Sequence, residues 1–346
     1  MKKIISKSIL LIMAVSMAAA AMTACGGSAA TAASDETLTL YGVNDLQISA
    51  AQMVAEENGY FAEEGLDVDC VYMANVPEIA AIMANGEAKI ACANNYSTPT
   101  WVLNGADVVT IAPTCNMGGT QCLLLREGIE LTDVSQLEGL TMGMVSGSTQ
   151  YVTFMNMCEA CGIDPDSITI STLQFADQLS ALSKGQIDIM AVPEPWVTKA
   201  QEECNAQLLC SGTKSYIPGY EGDVLWCNMY ACIDANREWL AENEETAGKV
   251  LKAIQKATDF INDNREEAVK ILAEHIGMSE EDTAKIMTEN VYQFGVDDTY
   301  VETTKTLEEF MVKENITPGG QSLAFEQYHD FSVLQEYLPD AYTVSE

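Results

Sequence analysis

Residues 147–196 read GSTQYVTFMNMCEACGIDPDSITISTLQFADQLSALSKGQIDIMAVPEPW. A Gly-Ser-Thr-Gln loop follows an apolar strand, Leu140 to Val145, and opens a helix. A helix begun in this way offers backbone N–H groups and short hydroxyls to whatever lies above it. The pattern predicts a helix stopping at Gly162, a turn over Ile163-Asp164-Pro165-Asp166, a strand, a second helix ending at Gly185, and a strand over Ile187 to Val192. That last strand must leave its sheet at Pro193-Glu194-Pro195-Trp196, because proline cannot donate to a ladder. Alternating elements of this kind build a parallel sheet whose loops gather at the strand carboxyl ends.

Upstream, the segment Glu78 to Ala93 repeats the pattern of Asp177 to Val192 at an offset of 99 residues. Each has an acidic start, a short helix, a glycine (Gly86, Gly185) and a buried strand. Glycine there takes the left-handed cap conformation. Two like units predict two α/β lobes of similar build, although convergence on a common αβ pattern would read the same way. In lobe one, Thr37 to Val43 reads as a strand, Ile48 to Asn58 as a helix closed by Gly59, and Val108 to Ala112 as a further strand. The chain is expected to cross to lobe two through Thr120 to Leu125 and to return through Val224 to Ile233. From Glu238 onward it is mostly helical: Thr246 to Asn262, Arg265 to His275, Glu280 to Val291 and Thr303 to Lys313.

Several pieces carry a family likeness: GST before the helix, AC-GIDPDSI, the D-x-x-x-AL-x-x-G-x-x-D run from Asp177 to Asp188, and Glu194-Pro195. ENGYFAEEGLDVDCVY (Glu57 to Tyr72) and KAIQKATDFINDNREEAVKILAE (Lys252 to Glu274) add two more. In order and spacing the chain resembles the extracytoplasmic solute-binding proteins of ABC importers, in the branch that takes up nitrate, sulfonates, taurine and thiamine-pyrimidine precursors. The resemblance implies an α/β, two-lobed periplasmic-binding-protein-like fold (type 2), with two hinge crossings and a helical C-terminal part packed on lobe one. It implies lobe one over residues 36–125 and 228–346 and lobe two over 126–227, closing on a small-molecule solute by a hinge.

The first residues read as an export signal over 1–24: Lys2, Lys3 and Lys7 precede the apolar stretch Ile9 to Met22. That stretch is short for a bilayer span. Thr23-Ala24-Cys25 resembles a lipobox with Met22 at the place of the usual Leu, which implies lipidation of Cys25 and anchoring to the outer face of the cell membrane. The plainer reading is an ordinary cleaved signal. Residues 25–35 suit a flexible tether. Without residues 1–24 the chain has 14 basic against 51 acidic residues, a formal charge of −37. Such a surface is repelled by DNA, RNA and anionic lipid. Ten cysteines remain besides Cys25. Most sit in apolar runs and read as buried free thiols, the Cys158-x-x-Cys161 pair included. No metal site is expected, since zinc takes about four ligands and the two histidines, His275 and His329, lie in other segments.

In such a fold the loops at the strand carboxyl ends face one another across the cleft. The resemblance puts ligand contacts in these loops: Asp45, Gln47, Asn95, Tyr96 and Asn116 in lobe one, Ser148, Thr149, Glu194 and Trp196 in lobe two, and Trp226 at the second crossing. Ser148 and Thr149 can donate beside a helix N-terminus or simply cap it. Gln47 and Asn95 can each donate and accept, or merely hold a turn. Tyr96, Trp196 and Trp226 can clamp a ring or fill an interlobe core. Asp45 and Glu194, with no Arg or Lys in these loops, tilt the reading toward an amine-bearing or heteroaromatic solute over nitrate or sulfate. The function expected is a non-catalytic receptor without cofactor, a monomer delivering its solute to ABC permease subunits. The alternative is an enzyme of the same fold acting on a pyrimidine or related heterocycle. Against it, no nucleophile stands in a motif with a base, no P-loop is present, and the cysteine-rich motif of the yeast-type pyrimidine synthases is absent. A sensory ligand-binding domain needs transmembrane and signalling segments from a partner.

Overall fold

The computed structural model of the chain describes residues 37–345. The expected signal, tether and lipidated Cys25 lie outside the described residues. Thirteen strands are assigned in chain order: β1 Leu38–Val43, β2 Val68–Met73, β3 Ile90–Asn94, β4 Val108–Asn116, β5 Cys122–Leu125, β6 Thr141–Met144, β7 Thr169–Thr172, β8 Ile189–Val192, β9 Gln207–Cys210, β10 Lys214–Ser215, β11 Gly222–Asp223, β12 Tyr230–Asn236 and β13 Val291–Tyr292. They form two sheets. The first has the order β13-β4-β12-β3-β1-β2 and the second β11-β10-β9-β5-β8-β6-β7. Within each sheet three neighbouring strands are parallel, β2-β1-β3 and β7-β6-β8.

Each sheet also takes in one strand that arrives directly from the other lobe. β5 runs antiparallel to β8 and β9, and β12 runs antiparallel to β3 and β4. The two crossings are therefore shorter than the sequence suggests. The first is Met117 to Gln121, with a 3-10 turn over Gly118–Thr120, and Cys122–Leu125 already lies in the middle of the second sheet. The second stops before Tyr230, where the first sheet begins again. Apolar runs such as CLLL and YACI fit a central strand buried on both faces as well as they fit a buried crossing, and periodicity cannot separate the two. The crossings touch backbone to backbone. A Cβ on Gly118 would lie 2.2 Å from the Cys227 carbonyl oxygen, and one on Gly212 would lie 2.4 Å from that of Gly118.

The repeat seen in the sequence is present in three dimensions. The helices Val76–Ala84 and Phe175–Ser183 stand 99 residues apart and are followed by left-handed Gly86 and Gly185, then by β3 and β8. The helix Gln150–Cys161 ends on left-handed Gly162, which lets the Ile163 N–H turn back to the Cys158 carbonyl. Its Phe154, Met157, Cys158 and Cys161, spaced three and four apart, enter the core of the second lobe. The ten cysteines of the described residues are all free, eight of them buried. The long helix Glu244–Asp263 and the helices Arg265–Ile276 and Asp298–Lys313 return to lobe one and bury Ala247, Leu251, Ile254, Leu272 and Leu307 in its core. The helix read as Glu280 to Val291 ends at Thr288, and Val291–Tyr292 pairs with β4 as an edge strand. No helix among the described residues is long and apolar enough to cross a membrane.

Candidate functional site

A cleft of about 630 Å3, counting its open mouth, lies where the loops of the two sheets meet. Lobe one lines it with the loop after β1 (Asn44, Asp45, Gln47), the segment after β2 (Asn75, Val76, Pro77) and Asn94 and Ser97 after β3. The first crossing contributes Met117 and Gln121, and lobe two contributes Gly147–Gln150, Phe175 and Pro193–Trp196. No Lys or Arg is among the lining residues.

Asp45 turns its carboxylate back on its own loop, where Oδ1 accepts from the N–H groups of Gln47 (3.1 Å) and Ile48 (2.7 Å). Burial outweighs these bonds and pushes its pKa up to about 7. Glu194 behaves alike in lobe two: its carboxylate accepts from the Thr198 N–H (3.0 Å) and hydroxyl (3.2 Å), while burial raises its pKa. Gln47 joins the lobes, since its Nε2 donates to the Glu194 carbonyl at 3.2 Å. Its Oε1 is buried and has no partner within the protein.

Gln121 carries the lobe-two side. Its Oε1 accepts from Thr149 Oγ1 and from Gln150 Nε2, each at 2.6 Å. Its Nε2 donates to the Met117 carbonyl (3.1 Å) and to Thr120 Oγ1 (3.2 Å). Ser148 Oγ and Gln150 Oε1 are buried without a partner within the protein. The Trp196 ring packs against Phe175, centroids 6.3 Å apart, and Lys199 Nζ sits 4.8 Å from its centroid. Trp196 is half-buried, so part of the ring remains open.

Six of the ten expected contacts thus share one cleft: Asp45, Gln47, Ser148, Thr149, Glu194 and Trp196. The structure places the other four elsewhere. Asn95 is buried, accepting from the Tyr230 N–H (3.0 Å) and donating to Thr304 Oγ1 (2.9 Å). Tyr96 is 3% exposed and belongs to the lobe-one core. Asn116 donates to Asn228 Oδ1 and accepts from the Gly118 N–H, holding the two crossings together. Trp226 is packed in the lobe-two core. For Asn95, Asn116 and Trp226 a bonded partner comes from a distant segment of the chain, which loop position does not report. Gln121 and Phe175 went unseen. A lone Gln at the head of the apolar run CLLL was the available signal for the first, and the 99-residue match of Phe175 to Val76, also in the lining, for the second.

Neither histidine lines the cleft. His329 lies between Tyr300 (2.9 Å) and the Phe325 carbonyl (2.9 Å), and burial drives its pKa down to about 3, so it is neutral. His275 packs against Tyr72. Among the described residues no group of three His, Cys, Asp or Glu is placed to hold a metal ion.

Residues 48–268 match the family described as NMT1/THI5 like. YtlA of Bacillus subtilis (strain 168), provisionally named a binding protein, is 29% identical over 240 residues, 66% of this chain and 68% of that one. The formylaminopyrimidine-binding protein of Halalkalibacterium halodurans is 27% identical over 242 residues, 64% of this chain and 72% of that one. The family likeness also reaches an enzyme, the Saccharomyces cerevisiae 4-amino-5-hydroxymethyl-2-methylpyrimidine phosphate synthase THI13, 24% identical over 218 residues, 60% of this chain and 62% of that one. Among solved structures, the periplasmic aliphatic sulphonate binding protein SsuA from Escherichia coli superposes with a TM-score of 0.70 at 16% identity, covering 86% of this chain and 92% of that one. At that identity the likeness shows the fold.

Proposed function

The chain belongs to the NMT1/THI5-like family, and from that premise we propose that it is the solute receptor of an ABC importer, working outside the cytoplasm and anchored through lipid on Cys25. It takes one small solute between its lobes, closes on it, and hands it to the permease chemically unchanged. One observation carries this reading: loops from both lobes line a single cleft, and three of its buried polar atoms, Gln47 Oε1, Ser148 Oγ and Gln150 Oε1, have no partner within the protein. Leaving such an atom unpaired costs about 1–3 kcal/mol, which a solute that pairs with it returns. The bond from Gln47 to the Glu194 carbonyl is a contact that opening of the hinge would break.

The solute class follows from the same groups. Two amide oxygens are unpaired acceptors, Asp45 and Glu194 bring carboxyl groups to the wall, no Lys or Arg lines the cleft, and half-buried Trp196 borders it. We therefore favour a small planar molecule rich in N–H groups over nitrate, sulfate or a plain alkanesulfonate. The solute in the name of the Halalkalibacterium relative, a formylaminopyrimidine, has this chemistry.

A thermal-shift panel of aminopyrimidines, amines, alkanesulfonates and nitrate, followed by calorimetry on the hits, tests the reading. Binding to the folded chain raises the melting temperature by mass action. The expected hits carry N–H donors and are recovered intact after incubation. Tight binding of an alkanesulfonate with inert aminopyrimidines overturns the solute class, and chemical conversion of a bound solute overturns the receptor.

A further inference from the structure

We infer that Gln121, in the first crossing, is a positioning residue that sets the hydrogen-bond polarity of the solute site. The inference rests on the receptor reading above and adds to it a residue that fixes what the receptor accepts.

The argument begins at a backbone carbonyl. The Met117 carbonyl can only accept, so the side-chain group of Gln121 that faces it at 3.1 Å must be the amino group. The Gln121 oxygen is then forced to the other side, toward Thr149 Oγ1 and Gln150 Nε2, each 2.6 Å away. Those two groups must donate. Once the Thr149 proton and one N–H of Gln150 are committed, Thr149 keeps only its hydroxyl lone pairs, and Gln150 keeps its partnerless, buried Oε1 beside one amide N–H. Gln121 is 1% exposed and its carboxamide is bonded on both sides, so it cannot turn over without breaking these bonds.

The same logic acts from lobe one. The Glu194 carbonyl fixes the Gln47 amino group at 3.2 Å, which leaves the Gln47 Oε1 as the unpaired atom. Two carbonyls thus orient two glutamines that line the cleft, one directly and one through Gln121, and both end with oxygen unpaired. A site encoded in this way favours a solute that donates to these two oxygens, while the partnerless Ser148 hydroxyl serves either polarity. Gln121 also lies in the segment joining the lobes, so the polarity of the lobe-two loop is held from the hinge rather than from the lobe.

Two variants and two probes test the inference. Benzamidine and benzenesulfonate carry one ring, opposite hydrogen-bond polarity and opposite charge, so the polarity is read from the change in preference between uncharged residues at position 121. The wild type should prefer benzamidine. Gln121→Met fills the same space without polarity and should narrow that preference by about tenfold, the worth of one neutral hydrogen bond. Gln121→Glu, compared at a pH low enough to keep that buried carboxyl protonated, retains an acceptor for Thr149 and Gln150 and an O–H for the Met117 carbonyl, and should keep the preference. The ligand-free protein gives a second answer. The Gln150 side-chain amide protons, identified by their loss in Gln150→Leu, should exchange slowly in wild type and in Gln121→Glu, and at least ~10-fold faster in Gln121→Met. Unchanged amide protection in a folded Gln121→Met overturns the inference, as does an unchanged probe preference. If neither the probes nor any panel solute binds the wild type, the receptor reading fails, and the amide measurement still decides whether Gln121 positions Gln150.

Discussion

Asn94-Asn95-Tyr96-Ser97 and Pro193-Glu194-Pro195-Trp196 stand 99 residues apart, each at the junction of an equivalent strand and helix, and the first reaches the cleft only through Asn94 and Ser97 while all four residues of the second line it. The first is held from behind. Asn95 is bonded to Tyr230 and Thr304, on elements that return to lobe one, and Tyr96 is in the core. The second is held mainly by its own helix and by Gln47 of lobe one. Glu194 caps its own helix at Thr198, and Trp196 is left against Phe175 at the cleft wall. One αβ template therefore supplies a loop whose middle is held in the core and a loop that lines the cleft throughout.

Substitutions sharpen this contrast. Tyr96→Ala should lose about 3–5 kcal/mol in denaturant unfolding, the usual cost of truncating a buried aromatic, with the change in stability far exceeding any specific change at the cleft. Asn95→Ala strands the Tyr230 N–H and should cost about 1–3 kcal/mol by the same measurement. Trp196→Ala should reverse the pattern, weakening solute binding about tenfold in calorimetry while stability shifts by less than about 1 kcal/mol. A Trp196 variant that melts early but binds normally would erase the distinction between the loops.

Protons give a subtler test. Burial lifts Asp45 to about 7 and Asp234, which accepts from Thr98 and Thr110 beneath the first loop, to about 6, against an ordinary value of 3.8. The folded chain then holds protons that the unfolded chain has released. The contribution of these groups to stability is full below about pH 4 and is lost as pH rises through 6 and 7. Asp45→Asn should flatten the upper part of that fall in melts across the pH range, and an unaltered slope would mean the Asp45 carboxylate is ionised throughout. The smallest effect is expected on the surface away from the cleft lining, where Lys313 of lobe one pairs with Glu159 of lobe two at 3.0 Å. Both are exposed, so Lys313→Ala should change solute affinity by less than about 1 kcal/mol, and less still in high salt.

The fold was largely legible because its signals are local. Gly86, Gly162 and Gly185 end helices where their spacing says they should, and the 99-residue repeat is visible to the eye. The crossings were less so, since a run buried on both faces carries no periodicity to distinguish a central strand from a hinge. At the cleft, the loops after β1, β6 and β8 were readable from the order of elements. Asn95, Asn116 and Trp226 were not, because a bonded partner of each lies in a distant segment, and neither was the core position of Tyr96. Gln121 escaped for a related reason: its importance lies in which atoms of other side chains it compels to donate, and no spacing rule reports that.

The exposed face of Trp196 has a practical corollary. The chain has four tryptophans, of which Trp101 and Trp226 are buried and Trp239 packs against the lobe-one core, so only Trp196 borders the cleft. Should a solute enter as proposed, the Trp196 emission is positioned to report it, an optical gauge of occupancy readable without any attached dye.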